Sequence, residues 1–240
     1  MIKENNLENL TAHRPDVTDG GSHTLEGTKL RIVTAAERLF AIHGIDGVTL
    51  QQILKGAGQR NSSAMHYHFG SREALIEAIL LWRVTEFDAH RNKMIDELLE
   101  EGRSNDIRGI LATGIIPFTR PIAESSQPSF YNRFLLEIHR SSTLSFDEII
   151  AGKAGRGIQR MNNLLFAQLM DIPGELRKPR IATVRSMIIF AVADIEAVRE
   201  RRLKDNHEFD FNRAVENLID MVSAAFVAPV SQETRRCLQI

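Results

Sequence analysis

The 240-residue sequence predicts a protein built almost entirely of α-helices. Apolar residues recur at the spacing of one helical face in many segments, such as Ile32, Ala36, Leu39 and Phe40 near the N-terminus. No segment shows the alternation of apolar and polar residues that is typical of a half-buried strand. Two short helical segments with glycines between them add a helix-turn-helix pattern. Together these observations predict an all-α fold.

Composition places the chain among ordinary globular proteins, with 43% apolar residues, 25% charged residues and a net charge of −1. The single cysteine, Cys237, cannot form an internal disulfide, so nothing indicates an oxidising compartment. No apolar run reaches the length of a membrane span, and the N-terminus is polar rather than signal-like. We therefore expect a cytoplasmic protein with no membrane partner.

The helix-turn-helix pattern begins after a first helix predicted from Thr28 to His43. A short second helix is predicted from Leu50 to Lys55. Thr49 before it is a favourable N-cap, and Gln52 three residues later completes a capping box. Both features predict that a helix starts at this point.

A turn at Gly56-Ala57-Gly58 separates this helix from a third, predicted from about Asn61 to Tyr67. The side chains of the third helix are mostly small and polar, which lets the backbone approach a surface closely. Asn and Ser side chains can bond to base edges or phosphates. In a helix-turn-helix the second of the two short helices lies in the major groove of DNA.

Charge is uneven along the chain. Between residues 27 and 72 six cations stand against two acids, an excess of four positive charges that suits a phosphate-facing surface. A solvated charged face is the alternative interpretation. The cations are Lys29, Arg31, Arg38, Lys55, Arg60 and Arg72, and the acids are Glu37 and Asp46.

Residues 28–80 resemble the amino-terminal domain of the TetR family of transcriptional regulators. The turn from Ala57 to Phe69 is one residue longer than the commonest family pattern, and His66 stands where a tyrosine is usual. The residues that carry the resemblance are Phe40 with Gly44, Gly47-Val48-Thr49, Ala57-Gly58, and Tyr67-His68-Phe69-Gly70-Ser71-Arg72-Glu73-Ala74-Leu75.

The resemblance implies a helix-turn-helix DNA-binding domain over residues 24–72 and a helical ligand-binding and dimerisation domain over residues 73–228. Residues 1–23 and 229–240 are predicted to be tails. The implied function is that of a homodimeric repressor, released from a palindromic operator by a small, largely apolar effector. A helical protein-interaction module with a degenerate DNA-binding head is the alternative. We expect no cofactor and no enzymatic activity, because the sequence shows no Ser-His-Asp signature, nucleotide loop or metal-ligand cluster.

The resemblance also implies roles for individual residues. Thr49, Tyr67 and Arg72 would hold the phosphate backbone, and His68 would contact DNA or brace the head. Arg60 is the best candidate to read guanine. A metal site at His66 and His68 is disfavoured because residues two apart point to different faces of a helix. The full set of DNA-contact candidates is Thr49, Gln59, Arg60, Asn61, Ser62, Ser63, Ala64, His66, Tyr67, His68 and Arg72.

The body is predicted to consist of further helices. A fourth helix, capped by Ser71, runs toward Leu99. Helices are also predicted over residues 105–116, 130–139 and 158–170. Pro117 and Pro121 are expected to end or kink the first of these, and Pro173 and Pro179 to bracket a turn. The glycine-rich run over residues 152–157 is interpreted as a mobile linker, because it lacks the ending of a phosphate loop.

Two regular apolar stripes end the body, and the middle of the first helix looks buried on all sides. The resemblance implies that these helices pair with their copies in a second subunit, whereas ordinary core packing within one chain is the alternative. The stripes are Ile181, Val184, Ile188, Ala191, Val192 and Ile195, and Val215, Leu218, Ile219, Val222 and Phe226. The predicted interface residues are Ile188, Val192, Ile195, Val215, Leu218 and Val222.

Helical bundles commonly bind small molecules between their helices, so we expect a ligand pocket in the body. Each candidate is also a candidate for plain core. The candidate lining residues are Trp82, Phe87, Met94, Phe118, Phe130, Phe134, Met161 and Phe166.

Overall fold

A computed structural model describes residues 25–61, 63–124, 128–153 and 155–238. These residues form eleven α-helices and no strand, which confirms the predicted all-α class. The predicted N-terminal tail, residues 1–23, lies outside the described residues. The helices are α1 (Gly27–His43), α2 (Leu50–Gly56), α3 (Ser63–His68), α4 (Arg72–Glu100), α5 (Ile107–Glu124), α6 (Tyr131–Arg140), α7 (Phe146–Ile150), α8 (Arg156–Ala167), α9 (Gly174–Lys204), α10 (Phe211–Phe226) and α11 (Gln232–Cys237).

Helices α1 to α3 and the start of α4 form the head. The predicted apolar face of α1 is buried, with Ile32, Ala36 and Phe40 fully enclosed. Gly44 ends the helix with a φ of +77°, a left-handed conformation that favours glycine, and its amide donates to the Phe40 carbonyl at 2.9 Å. This termination turns the chain toward α2.

Helix α4 connects the head to the body as one rod of 29 residues, about 44 Å long at 1.5 Å per residue. Its N-cap is Ser71, whose hydroxyl accepts from the amide of Ala74 at 3.1 Å, as predicted. The rod contacts α1 in the head and α5, α7 and α8 in the body. One continuous helix therefore joins the body to the head.

The prediction that Pro117 or Pro121 ends α5 near residue 116 is wrong, because the helix continues through both prolines to Glu124. Each proline removes one backbone hydrogen bond. Residues on both sides of them, including Ile115 and Ile122, are buried in the body core. Tertiary packing thus holds a helix that local preference would interrupt.

The expected mobile linker over residues 152–157 is also wrong at its C-terminal end. Gly155 precedes α8, and Gly157 lies buried in its first turn against Asp88 of α4. The Gly157 amide donates to Asp88 Oδ2 at 2.9 Å, and the Ile158 amide donates to Oδ1 at 3.2 Å. These glycines permit a close approach of the backbone to a buried carboxylate. The short helix α7 before this segment was not predicted.

Helix α9 begins at Gly174 with Pro173 as its N-cap, so the predicted turn between Pro173 and Pro179 is absent. Pro179 lies inside the helix near its exposed start, where the lost bond leaves a carbonyl near solvent. The middle of α9 is not buried on all sides, because Met187 is 37% exposed and Phe190 is 49% exposed. One face of this helix is therefore open to solvent in the single chain.

The residues predicted to face a second subunit pack inside the chain instead. Val192, Val215, Leu218 and Val222 belong to the core between α5, α9 and α10. Ile188 and Ile195 are half-buried against the same core. The apolar stripes are satisfied by intrachain packing, the alternative that the sequence left open, so these residues do not form the outer surface.

Two apolar clusters form the core. The first joins α1, α2 and α4 of the head to α6 and crosses the predicted boundary at residue 72. The second lies within the body between α4, α5, α8, α9 and α10. The predicted C-terminal tail contains the short exposed helix α11, capped by Ser231. None of the described helices has the length and apolar character that crossing a membrane requires.

Candidate nucleic-acid interface and body cavity

The start of α2 has the predicted capping box. The Thr49 hydroxyl accepts from the Gln52 amide at 3.2 Å, and Gln52 Oε1 accepts from the Thr49 amide at 2.7 Å. Thr49 is exposed. Its position at a helix N-terminus, beside unpaired backbone amides, suits an anion such as a phosphate.

The turn after α2 sets the angle of α3. The Ala57 amide donates to Ile53 O at 2.9 Å, and Gly58 adopts a φ of +68°. The Gln59 amide then donates back to Leu54 O at 2.9 Å. Only a residue that tolerates the left-handed region fits at Gly58 without strain, so the glycine is needed for the turn.

Helix α3 begins at Ser63, two residues later than predicted. Asn61 precedes the helix, and its side chain bonds to the first turn instead of forming part of it. Asn61 Oδ1 accepts from the Ser63 amide at 2.9 Å. Its carbonyl oxygen is thereby engaged in ordering the helix start.

The side chains predicted to contact DNA are mostly on the outside of the head. Tyr67 is 85% exposed, and its ring meets the His68 ring edge-on with centroids 4.9 Å apart. The side chains of Ser62 and Ala64 lie outside the described residues. Of the remaining candidates, Thr49, Arg60, Asn61, Ser63 and His66 are exposed, and Gln59 and His68 are half-buried.

Arg72 does not have the geometry of the phosphate clamp that the resemblance implied. Its Nη1 donates to Ile45 O at 2.5 Å and its Nη2 donates to Val48 O at 2.6 Å. The guanidinium also lies 5.9 Å from the ring centroid of Phe40. Arg72 therefore fastens the loop before α2 and positions Thr49, instead of presenting its charge to DNA.

Cations other than Arg72 lie exposed on the helices and the turn around α3. Lys55 and Arg60 are exposed, and neither forms an ion pair with any residue that the structure describes. Arg31 on α1 is exposed as well, and its Nη2 donates to Thr28 Oγ1 at 2.9 Å. Unneutralised cations beside a polar helix are what binding to a phosphate backbone requires.

These features define the class of protein, a helix-turn-helix DNA-binding head on a helical body. Residues 32–79 match the family model of bacterial regulatory proteins, tetR family. These residues carry the amino-terminal DNA-binding domain of that family, as the sequence predicted, which supports a DNA-binding transcriptional regulator. The match covers a fifth of the chain and ends within α4. No curated protein matches the chain.

The body contains a mostly apolar cavity of about 80 Å³ between α4, α5, α8 and α9. Two of the eight candidate lining residues, Phe118 of α5 and Met161 of α8, line this cavity. Gly114 opens space beside Met161, since a Cβ at that position would lie 2.8 Å from the Met161 sulfur. The cavity adjoins helices that contact the head through α4 and α6.

The other six predicted lining residues lie elsewhere. Phe87 and Phe134 are buried in the first core, and Met94 packs against the second. Trp82 and Phe130 lie under the guanidinium groups of Arg83 and Arg133, and Phe166 is 40% exposed. Large apolar residues on helices more often fill a core than line a cavity, and periodicity alone does not separate the two.

One cavity residue, Arg91, was missed. Its side chain is 1% exposed and lies in the wall between Phe118 and the aliphatic residues. A signal was present in the sequence, because Asp88 and Arg91 interrupt the buried stripe of Val84, Phe87 and Ile95 on α4. A charged pair on an otherwise apolar helical face is unusual and marks a polar group in the interior.

Proposed function

We propose that the chain is a homodimeric transcriptional repressor, released from a near-palindromic operator by a small, largely apolar effector. The observation that carries the proposal is the apolar cavity, whose walls belong to helices that also support the head. A ligand that fits the cavity better in one arrangement of these helices favours that arrangement of the head. DNA must then weaken ligand binding by the same factor.

In this proposal each subunit places α3 in one of two successive major grooves, about 34 Å apart. Thr49 and Tyr67 bond phosphates, Lys55 and Arg60 supply charge, and Arg60 reaches a guanine edge. The exposure of Tyr67 and the absence of any described ion pair at Arg60 support these roles. Arg72 contributes by holding the loop that carries Thr49.

The proposed dimer uses the outward faces of α9 and α10 rather than the buried stripes. Met187 and Phe190 on α9 and Met221 on α10 are large apolar side chains exposed in the single chain, Met221 at 58%. Ala224, one turn after Met221, is exposed on the same face. Two apolar helices that are open on one side form a four-helix bundle when paired with their copies.

Binding-site selection from random duplex DNA, with wild type beside Tyr67→Ala, tests DNA recognition. We expect wild type to enrich one palindromic motif and the variant to lose it. No enriched motif, with only weak salt-sensitive binding, would favour the protein-interaction alternative. On the selected motif, Arg60→Ala should relax base preference, whereas Tyr67→Phe should weaken all sequences similarly.

Sedimentation of Met187→Glu/Met221→Glu beside Met170→Glu tests the dimer. Met170 is 62% exposed and lies before α9, so it is a matched methionine outside the proposed interface. We expect a dimer for wild type and for Met170→Glu, and a monomer for the double variant. A dimer that survives the double variant would place the interface elsewhere.

A further inference from the structure

A buried cation stands in the wall of the apolar cavity. Arg91 on α4 is almost completely buried, and the Phe118 ring centroid lies 5.4 Å from its guanidinium. The ring interacts favourably with the charge but offers no hydrogen-bond acceptor. A buried guanidinium is stable only when its charge and its N–H groups are partnered.

Asp88 satisfies this requirement only in part. Its Oδ1 accepts from Arg91 Nη1 at 3.1 Å and from the Ile158 amide, and its Oδ2 accepts from the Gly157 amide and from Asn92 Nδ2 at 3.1 Å. The carboxylate therefore shares its negative charge among four donors. Arg91 is one of these four donors, and only one of its five N–H groups bonds to Asp88.

The guanidinium retains unmet donor capacity on the same side chain. Arg91 Nε is buried and has no hydrogen-bond partner among the described residues. Burial lowers the pKa of Arg91, but an arginine side chain remains charged at neutral pH. The cavity thus combines apolar walls with one under-compensated cation.

We propose that the effector is a carboxylic acid with an apolar tail, and that its carboxylate accepts hydrogen bonds from Arg91. The planar guanidinium matches a carboxylate, and the apolar walls accept a hydrocarbon or aromatic tail. A single buried cation matches the one negative charge of a carboxylate better than the two charges of a phosphate dianion. The inference rests on the proposed function, because it names the chemical class of that effector.

The second arginine of the cavity does not compete for the ligand. Arg185 on α9 is bound by both oxygens of Asp147 on α7, at 2.8 Å and 2.7 Å, and both side chains reach solvent. This pair is neutral and lies at the rim of the cavity. Arg91 is consequently the cation that selects an acid in the interior.

Calorimetric titration of the full-length protein with acids and their matched amides tests the proposal. The probes are hexanoate beside hexanamide, and benzoate beside benzamide, which separate aliphatic from aromatic tails. We expect wild type to bind at least one acid about tenfold or more tightly than its amide, because a charged hydrogen bond is lost in the amide complex. Equal affinities within each pair, or no binding of either acid, would overturn the proposal.

Two cavity variants assign the preference to Arg91. Arg91→Met should reduce the acid-to-amide ratio to about one, whereas Ile188→Phe, which narrows the cavity, should weaken acid and amide alike. Arg91→Lys keeps the charge and loses the Nε donor, so it should bind the acid more weakly than wild type. It also provides the test if Arg91→Met does not fold. An unchanged acid-to-amide ratio in the folded Arg91 variants would overturn the assignment.

An operator-release assay separates this inference from the proposed function. An acid that binds through Arg91 without releasing DNA supports the site and contradicts the effector role. Release of DNA by neutral apolar ligands, with no preference for acids, supports the proposed function and contradicts the role of Arg91.

Discussion

Arg72 illustrates how the role of one residue depends on the carbonyls around it. Both of its terminal nitrogens donate to the backbone of the loop before α2, at Ile45 and Val48. Hydrogen bonds from a charged donor contribute about 1.5–3 kcal/mol each. Arg60, twelve residues earlier in the chain, is exposed and forms no ion pair with any residue that the structure describes. In the proposed function, Arg72 therefore stabilises the head and Arg60 contacts DNA.

We therefore expect Arg72→Ala to lower the free energy of unfolding by about 2–3 kcal/mol, because two backbone carbonyls lose a charged donor. Arg60→Ala, the matched control, should change stability by less than about 0.5 kcal/mol and should weaken DNA binding. Urea denaturation and DNA titration of both variants measure these effects. An Arg72→Ala protein as stable as wild type would show that the loop does not depend on its guanidinium.

Tyr131 carries a second unpartnered group in the interior. Its side chain is 1% exposed, and its hydroxyl has no hydrogen-bond partner among the described residues. Burial raises the pKa of Tyr131, so the hydroxyl stays protonated. We expect the free energy of unfolding of Tyr131→Phe to equal that of wild type or to exceed it by up to about 1 kcal/mol, because the substitution breaks no hydrogen bond. A loss above 1 kcal/mol in urea denaturation would contradict this.

At the scale of elements, the contact between α4 and the start of α8 depends on a missing side chain. Asp88 of α4 accepts from two amides at the start of α8. A Cβ on Gly157 would lie 2.6 Å from Asp88 Oδ1 and 3.1 Å from Asn92 Nδ2. The two helices approach this closely only because the position is glycine.

Gly157→Ala should therefore destabilise the protein by about 1–3 kcal/mol through overpacking. Gly174→Ala is the matched control, because it also lies at a helix start and its Cβ would meet nothing within 4 Å. The control should be neutral or stabilising by at most about 1 kcal/mol. Thermal unfolding of the two variants compares them directly, and equal melting temperatures would contradict the close contact.

The elements that the sequence predicted well are those with local signals. Thr49 with Gln52 and Ser71 mark the starts of α2 and α4, because a cap acts within one turn of chain. The continuation of α5 past Pro117 and of α9 past Pro179 depends on packing against distant residues, which a local pattern does not contain. Periodicity likewise identified the stripes of α9 and α10 but not which partner covers them.

The candidate site divides in the same way. Tyr67 was predicted to contact phosphate, and its side chain is exposed, as such a contact requires. Arg72 was assigned to phosphate by resemblance, but its bonds run to carbonyls that are 24 and 27 residues away in the chain. The sequence marks Arg91 as a charge on an apolar stripe, but its place in a cavity wall depends on α5 and α8, which pack against α4. Tertiary contacts of this kind decide whether a charged residue serves solvent, a backbone or a ligand.

At the scale of the whole molecule, head and body share one core. Phe40 of α1 stacks on Phe134 of α6 with ring centroids 6.0 Å apart. Glu37 of α1 is buried and accepts from Arg83 of α4 at 2.7 Å and 2.8 Å. Removing either partner of such a buried pair leaves an uncompensated charge. The head is therefore held to the body by both apolar and ionic contacts, so the ligand of the proposed function would act on a coupled structure.

This shared core predicts that head and body unfold together. Far-UV circular dichroism reports all the helices, and the fluorescence of Trp82, the single tryptophan, reports the region around α4. We expect the two signals to give coincident thermal transitions.

Phe134→Ala, which removes the α6 side of the contact between Phe40 and Phe134, should lower the free energy of unfolding by about 3–5 kcal/mol and shift both transitions equally. Phe166→Ala is the control, since its exposed ring should contribute far less. Two separate transitions in wild type, or a Phe134→Ala protein in which only one signal moves, would show that the head is an independent unit and would remove the packing route from cavity to DNA.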